Sequence, residues 1–248
     1  MLRNTSLESL LIQFGESVSK DSSYPWLYKY DGKKHSFRIH ISCLIHGDET
    51  GSLPAAIRTI EGLESGSIKY GGQVCITLGN PEAARKNKRF LVSDLNRLFL
   101  KNDLENHEAN RARVLMPIFN KADLLLDLHQ TILHTKRPFY IFPRSKVSLN
   151  WARAMRLSDS YIDATPSKDS LTRCADEFFW HQNKPAITLE LSKKGLFEKS
   201  IDLAQTAIRR VLAIADRIEG GEDVSQMAKR APRLKEFQTI YRHPFNPN

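Results

Sequence analysis

The feature that most constrains the fold of this chain is an alternation of short apolar runs with longer amphipathic segments. The apolar runs are nearly continuous, as expected of strands that are buried on both faces of a parallel sheet. The amphipathic segments have the 3.6-residue spacing of helices that cover such a sheet. Strand-length runs occur at 37–45, 72–79, 123–129, 138–143 and 185–191, and helical patterns at 52–65, 106–122, 168–182 and 198–220. This order predicts an α/β protein with a mostly parallel (mixed), doubly wound sheet and helices on both faces.

The chain length of 248 residues suits one large α/β domain or two small ones. We predict a main domain over residues 1–220, which ends with the clearest amphipathic helix. The segment 221–248 is polar and basic, and we expect a tail that is the remnant or the start of a second domain rather than a packed element.

The sequence also favours a cytoplasmic protein. No apolar run approaches the ~18 residues that a membrane span needs, and the N-terminus lacks the pattern of a signal peptide. The three cysteines are far apart, which argues against a disulfide framework and for a reducing compartment. We therefore expect no membrane partner.

The formal net charge of +9 suits either a nucleic-acid partner or an anionic small substrate. Lysines and arginines are scattered along the chain, with one local cluster at 85–89 and no recognition-helix motif. We therefore expect an anionic small molecule, and no nucleic acid, as the partner. The sequence leaves homo-oligomerisation open.

Side chains that suit a metal ion fall where the predicted strands end. His46 and Glu49 follow the first strand, His129 ends the third, and Glu190 lies near the end of the fifth. Ligands of doubly wound sheets bind at this carboxyl edge. A solvated turn would also explain His46 and Glu49 taken alone. Two histidines with one glutamate, however, form a ligand trio that leaves a catalytic zinc one open position.

Neighbouring residues sharpen this hypothesis. A carboxylate in a strand as apolar as that of Glu190 is costly unless it is paired or functional. Asp127 would face the same side of its strand as His129 and could orient that imidazole. His40 is separated from His46 by about 20 Å of strand, so we expect it outside the site. His134 is close enough in sequence to approach the cleft.

Four segments carry a resemblance to a known family. They are HGDETG (46–51), GNPEAARKNKRFLVSDLNRLF (79–99), DLLLDLHQT (123–131) and AITLELSKKG (186–195). Their order and spacing resemble those of succinylglutamate desuccinylases and aspartoacylases over about residues 36–242. These are zinc-dependent amidohydrolases with the zinc-carboxypeptidase fold.

The resemblance implies a role for each matching residue at the metal. His46, Glu49 and His129 would hold one zinc ion (Zn2+) per chain, and Glu190 would be the general acid/base. Residues 1–220 would then form the zinc-dependent amidohydrolase catalytic domain.

The resemblance also implies a substrate site. Asn96 and Arg97 would hold a substrate carboxylate, and Arg89 would bind substrate and polarise the scissile carbonyl. An arginine fork grips a carboxylate bidentately, which suits this role. The chain departs from the family pattern at three positions near these blocks: Asp48, Gln130 and Ser192.

We therefore expect an enzyme that cleaves the amide bond of an N-acyl amino acid, for example a dicarboxylic one such as N-succinylglutamate. Two alternatives stay open: a zinc metallocarboxypeptidase that trims peptide C-termini, and a non-catalytic basic protein that binds nucleic acid or another anion. The family continues into a C-terminal β-rich domain that shapes the substrate pocket. This chain stops about where that domain would begin, so we expect either a naturally short relative or a truncated chain.

Overall fold

A computed structural model describes residues 6–18, 24–100, 103–166 and 172–237. Within these ranges the chain forms eight strands and eight α-helices. The strands are β1 (Leu27–Asp31), β2 (Arg38–Cys43), β3 (Gln73–Leu78), β4 (Leu124–Thr131), β5 (Phe139–Phe142), β6 (Ser160–Asp163), β7 (Ala186–Lys193) and β8 (Lys235–Phe237). The helices are α1 (Leu7–Glu16), α2 (Leu53–Glu64), α3 (Pro81–Arg85), α4 (His107–Asn120), α5 (Lys146–Met155), α6 (Ala175–Trp180), α7 (Glu198–Glu219) and α8 (Val224–Lys229).

All of these strands belong to one mixed sheet with the order β1-β3-β2-β4-β7-β5-β6-β8. Only the β1–β3 and β5–β7 pairs are antiparallel, and the other neighbours run parallel. The mostly parallel, mixed sheet predicted from the sequence is therefore confirmed. Each of the five predicted strand runs corresponds to one of the strands β2, β3, β4, β5 and β7.

Helices cover both faces of the sheet. They can pack on either face because alternate residues of each apolar strand point in opposite directions. On β4, Leu124 and Leu126 join a hydrophobic cluster that includes Ile208 of α7, whereas Leu125 joins a second cluster with Phe119 of α4. A continuous apolar run can thus serve two cores at once. This is the physical reason why the central strands lack the polar alternation of half-exposed strands.

The segment after Gly221 differs from the expectation of an unpacked tail. Helix α8 lies against α5, where Met227 and Ala228 are buried, and β8 pairs with β6 at the sheet edge. Residues 238–248 of the tail lie outside the described residues. The β8 side chains are exposed, so no apolar pattern marks this strand in the sequence.

The predicted helix at 168–182 is shorter in the structure, where α6 spans Ala175–Trp180. Its predicted first residues, 168–171, lie outside the described residues. Elements α1, β1, α3, α5 and β6 were not predicted. Across the described part of the chain, each helix is too short or too polar to cross a membrane.

Candidate active site

The turn after β2 brings the first two predicted ligands to the carboxyl edge of the sheet. Leu44, buried at the start of this turn, has a φ of +54°, a left-handed conformation that costs a non-glycine residue about 1–3 kcal/mol. Gly47 then passes so close to α3 that a Cβ atom there would lie 2.3 Å from the amide nitrogen of Ala84. The Gly47 N–H donates to the carbonyl of Arg89 at 3.0 Å, which fixes this turn beside the loop of residues 86–94.

His46, Glu49 and His129 form a buried cluster, each with 3–4% of its surface exposed. Nδ1 of His46 lies 2.8 Å from Oε1 of Glu49, and Nδ1 of His129 lies 2.9 Å from Oε2. One potential ligand atom from each residue lies within 4.8 Å of the other two. The structure therefore brings together the three residues that the sequence predicts as metal ligands.

The far nitrogen of each imidazole meets a second carboxylate. Nε2 of His129 lies 2.8 Å from Oδ2 of Asp127, and Nε2 of His46 lies 3.0 Å from Oδ1 of Asp94. A carboxylate that accepts the Nε2 proton leaves Nδ1 free to bind a cation. Asp127 thus takes the orienting position expected from the sequence. The sequence alone did not indicate a role for Asp94, although this residue lies in the segment 79–99 that carries part of the family resemblance.

The electrostatics of the cluster fit a cation. Burial would raise the pKa of Glu49, but the two imidazoles hold that pKa well below its usual value. Burial would lower the pKa of His129, but Asp127 and Glu49 hold it well above its usual value. The cluster therefore concentrates carboxylate charge around two imidazoles. A divalent cation between the two Nδ1 atoms and Glu49 would replace the protons that these groups now share.

Glu190 lies beside this cluster. It is the register partner of His129 on the neighbouring parallel strand, so both side chains point to the same face of the sheet. Its Oε2 is buried and has no hydrogen-bond partner among the described residues. Burial and then the charge of Glu49 raise the pKa of Glu190 from 4.5 to about 7. A carboxyl group with this pKa and a free oxygen can exchange a proton near neutral pH.

Arg89 spans the same edge of the cluster. Its Nη1 lies 3.2 Å from Oε1 of Glu49, and its Nη2 lies 3.2 Å from Oδ2 of Asp94. The same Nη2 lies 2.7 Å from Nε2 of His46, which also contacts Asp94. Since one nitrogen cannot accept from Arg89 and donate to Asp94 at once, only one of these two bonds forms in a given protonation state.

Asn96 and Arg97 lie on a short 3₁₀ turn, Leu95–Arg97, next to Asp94. The backbone N–H of Asn96 donates to Oδ1 of Asp94 at 2.9 Å, and its Oδ1 accepts from the N–H of Ala175 at 2.9 Å. Arg97 is exposed, and its Nη1 donates to the Asn96 carbonyl at 2.6 Å and contacts Sγ of Cys174 at 3.0 Å. No described carboxylate forms a salt bridge with Arg97, so its guanidinium is available to bind an external anion.

Three further residues singled out in the sequence are His40, His134 and Asp48. His40 is buried and bonds Thr77 at 2.8 Å, away from the cluster, as predicted. His134 reaches the strand that carries Glu190, where its Nδ1 lies 3.2 Å from Oγ of Ser192. Asp48, one of the departures from the family pattern, accepts from Nζ of Lys194 at 2.6 Å.

Gln130, the third departure, connects three parts of the site. Its Oε1 accepts from the N–H of Gly51 at 2.7 Å, and its own N–H donates to Oε2 of Glu49 at 2.9 Å. Its Nε2 donates to the carbonyl of Lys193 at 2.8 Å, at the end of β7. Sequence reasoning did not anticipate this function, because nothing local distinguishes a buried glutamine of this kind from a solvated one.

Comparison with known proteins identifies the family. Residues 36–215 match the family model described as the succinylglutamate desuccinylase/aspartoacylase catalytic domain. The succinylglutamate desuccinylase of Pseudomonas paraeruginosa is 31% identical over 196 residues, which cover 74% of this chain and 58% of that protein. That of Pseudomonas putida is 34% identical over 171 residues, covering 63% and 50%. The chain thus spans less than two thirds of the length of these relatives.

Solved structures show the same fold. The structure of succinylglutamate desuccinylase from Chromobacterium violaceum superposes with a TM-score of 0.68 at 20% identity, covering 89% of this chain and 75% of that one. The enzyme from Vibrio parahaemolyticus gives a TM-score of 0.66 at 21% identity, covering 90% and 78%. The match to the family model and the sequence identity to the Pseudomonas paraeruginosa protein establish that the chain belongs to the succinylglutamate desuccinylase/aspartoacylase family.

Proposed function

We propose that this protein is a zinc-dependent hydrolase that cleaves the amide bond of an N-acyl amino acid. The observation that carries the proposal is the pairing of a His₂Glu cluster with Glu190, whose buried Oε2 has no hydrogen-bond partner in the described part of the chain. A structural acid would be satisfied by its neighbours, because an unpaired buried polar atom costs about 1–3 kcal/mol. Membership of the family supports the same reaction class.

Zinc held by His46, Glu49 and His129 would supply a Lewis acid and lower the pKa of an attacking water to about 7. The chain's own residues then account for proton transfer. The free Oε2 of Glu190 accepts a proton from the water and later returns it to the departing amine nitrogen. Such general acid/base catalysis contributes roughly 10²–10⁴ in rate.

In this proposal Arg89 stabilises the negative charge that develops on the carbonyl oxygen during attack. Its guanidinium is shared between Glu49 and Asp94, and about a third of its side chain is exposed (31%). It can therefore bind Asp94 and still present a donor toward the cleft. A preorganised donor of this kind acts more strongly in a water-poor site than in bulk water.

Asn96 and Arg97 form the proposed carboxylate anchor. Both are held by backbone contacts of the same 3₁₀ turn, and Arg97 has no salt-bridge partner among the described residues. A fixed guanidinium beside an amide donor suits the α-carboxylate of an amino acid. The net charge of +9 suits an anionic substrate, and the relatives named succinylglutamate desuccinylases favour a dicarboxylic one such as N-succinylglutamate.

A metallocarboxypeptidase would need the same anchor, so the decisive experiment includes its substrates. The purified protein is analysed for metal and then assayed on N-acyl amino acids, including N-succinylglutamate, and on short peptides with free C-termini. We expect about one zinc per chain and a higher kcat/KM on the N-acyl amino acids. The variant His129→Ala serves as a control for metal loss. Faster cleavage of peptides would replace the deacylase proposal by a carboxypeptidase, and absence of bound metal would refute both.

A further inference from the structure

Glu108 is a buried acid that the proposed reaction does not use. It lies in the first turn of α4 and has 0% of its surface exposed. Its Oε1 accepts from the N–H of Leu91 at 2.7 Å and from Nδ2 of Asn80 at 3.0 Å. Its Oε2 accepts from the N–H groups of Val92 and Ser93, both at 3.2 Å. Three consecutive backbone donors of one loop thus converge on a single carboxylate.

These contacts require the ionised form of Glu108. Burial would raise its pKa, but the donors, of which the Leu91 N–H is the strongest, hold the pKa below its ordinary value. Hydrogen bonds to a charged acceptor are roughly twice as strong as those between neutral groups. A glutamine at this position has one acceptor oxygen and would turn an N–H₂ group toward the remaining N–H donors.

The loop held in this way leads directly into the proposed carboxylate anchor. Residues 91–93 precede Asp94, whose Oδ1 accepts from the N–H of Asn96 at 2.9 Å and so starts the turn that carries Arg97. The backbone of Arg89 has a separate support, because its carbonyl accepts from Gly47 at 3.0 Å. Loss of the Glu108 contacts should therefore disturb Asn96 and Arg97 more than Arg89.

We propose that Glu108 is a positioning residue for substrate carboxylate binding, which it controls through the backbone of residues 91–93. This inference rests on the proposed function, in which Asn96 and Arg97 hold the substrate carboxylate. Glu108 need not touch the substrate. It acts by fixing the loop before the substrate arrives, so that binding does not incur the entropy cost of ordering it.

The test compares Glu108→Gln with wild type in two measurements. Hydrogen exchange reports the loop directly, and we expect the amides of residues 91–93 to exchange at least tenfold faster in the variant. Calorimetric titration with glutamate and with aspartate reports the anchor without requiring turnover, and we expect at least a tenfold weaker Kd. Glu108→Asp keeps the charge but has a shorter side chain, so its amide exchange and its Kd should lie between those of wild type and Glu108→Gln. It also provides a second variant if Glu108→Gln does not fold.

Asp216→Asn is the matched control. Asp216 also accepts a backbone N–H, from Gly71 at 2.9 Å, but it lies with His35 near the opposite, amino-terminal edge of β2. This variant should leave the exchange of residues 91–93 and the Kd for glutamate unchanged. Equal weakening by both variants would show a general loss of stability and would overturn the positioning role.

A substrate pair completes the test. On an N-acyl amino acid, Glu108→Gln should raise KM about tenfold with a smaller change in kcat, whereas on the matching α-carboxamide the two proteins should differ little. The double variant Glu108→Gln/Arg97→Lys should have nearly the same KM for the N-acyl amino acid as Arg97→Lys alone, because both substitutions act through one carboxylate anchor. The inference would be overturned by unchanged amide exchange of residues 91–93, by an unchanged Kd, or by an equal rise in KM on both substrates. Binding of glutamate without any hydrolysis by wild type would instead refute the proposed reaction alone.

Discussion

The substitution Glu190→Gln separates chemistry from packing at this site. Glutamine keeps the size of the side chain but cannot take a proton from water. In the proposed reaction we therefore expect kcat to fall by roughly 10²-fold or more, the usual contribution of a general acid/base. Metal content should stay close to that of wild type, because Glu190 is not one of the three converging ligands.

The same substitution has a calculable effect on the metal-free protein. Because the pKa of Glu190 is raised from 4.5 to about 7, its stabilising contribution is fully present below pH 4.5 and is lost as the pH rises through 7. At about 1.4 kcal/mol per pKa unit, this span gives at most roughly 3 kcal/mol, and about 1–3 kcal/mol after allowing for the partial exposure of the residue. Glu190→Gln, which does not ionise, should gain this amount relative to wild type above pH 7.

The assay is thermal unfolding in the presence of a chelator at pH 5 and pH 8. A gain of 1 kcal/mol corresponds to a shift in Tm of roughly 2–4 °C for a chain of this size. The difference in Tm between Glu190→Gln and wild type should therefore increase by about 2–12 °C from pH 5 to pH 8. Glu105→Gln, at an exposed position, is the control and should show no such change. A Tm difference independent of pH, or a variant with full activity, would refute the reasoning.

Three further substitutions test the proposed metal centre and the proposed carboxylate anchor. His129→Ala should abolish zinc binding, measured by metal analysis after dialysis, and retention of one zinc would show that the ligand assignment is wrong. Asp127→Asn should lower zinc affinity about 10–100-fold in a chelator competition, because Nε2 of His129 loses its carboxylate partner at 2.8 Å; an unchanged affinity would remove that orienting role. Arg97→Lys should lower kcat/KM on substrates with a free carboxylate but hardly on the matching amides, and an equal loss on both would indicate a structural role.

The central strands could be predicted from the sequence because burial on both faces gives each of them a continuous apolar run. The strands β2, β3, β4, β5 and β7 are apolar runs bounded by polar residues, so their existence and the mostly parallel, mixed character of their sheet could be predicted. Elements with little apolar pattern were missed. Strand β8 has only exposed side chains and depends on its pairing with β6, which a local pattern does not record.

The cluster of candidate metal ligands was also predictable, since His46, Glu49 and His129 follow or end strands that meet at one edge of the sheet. The contacts that complete the site were not. Asp94 reaches His46 across 48 positions of sequence, and Glu108 reaches Leu91 across 17. An acid at such a position looks like any solvated acid until tertiary packing buries it against its donors, because burial and partner, not residue type, decide what a carboxylate does.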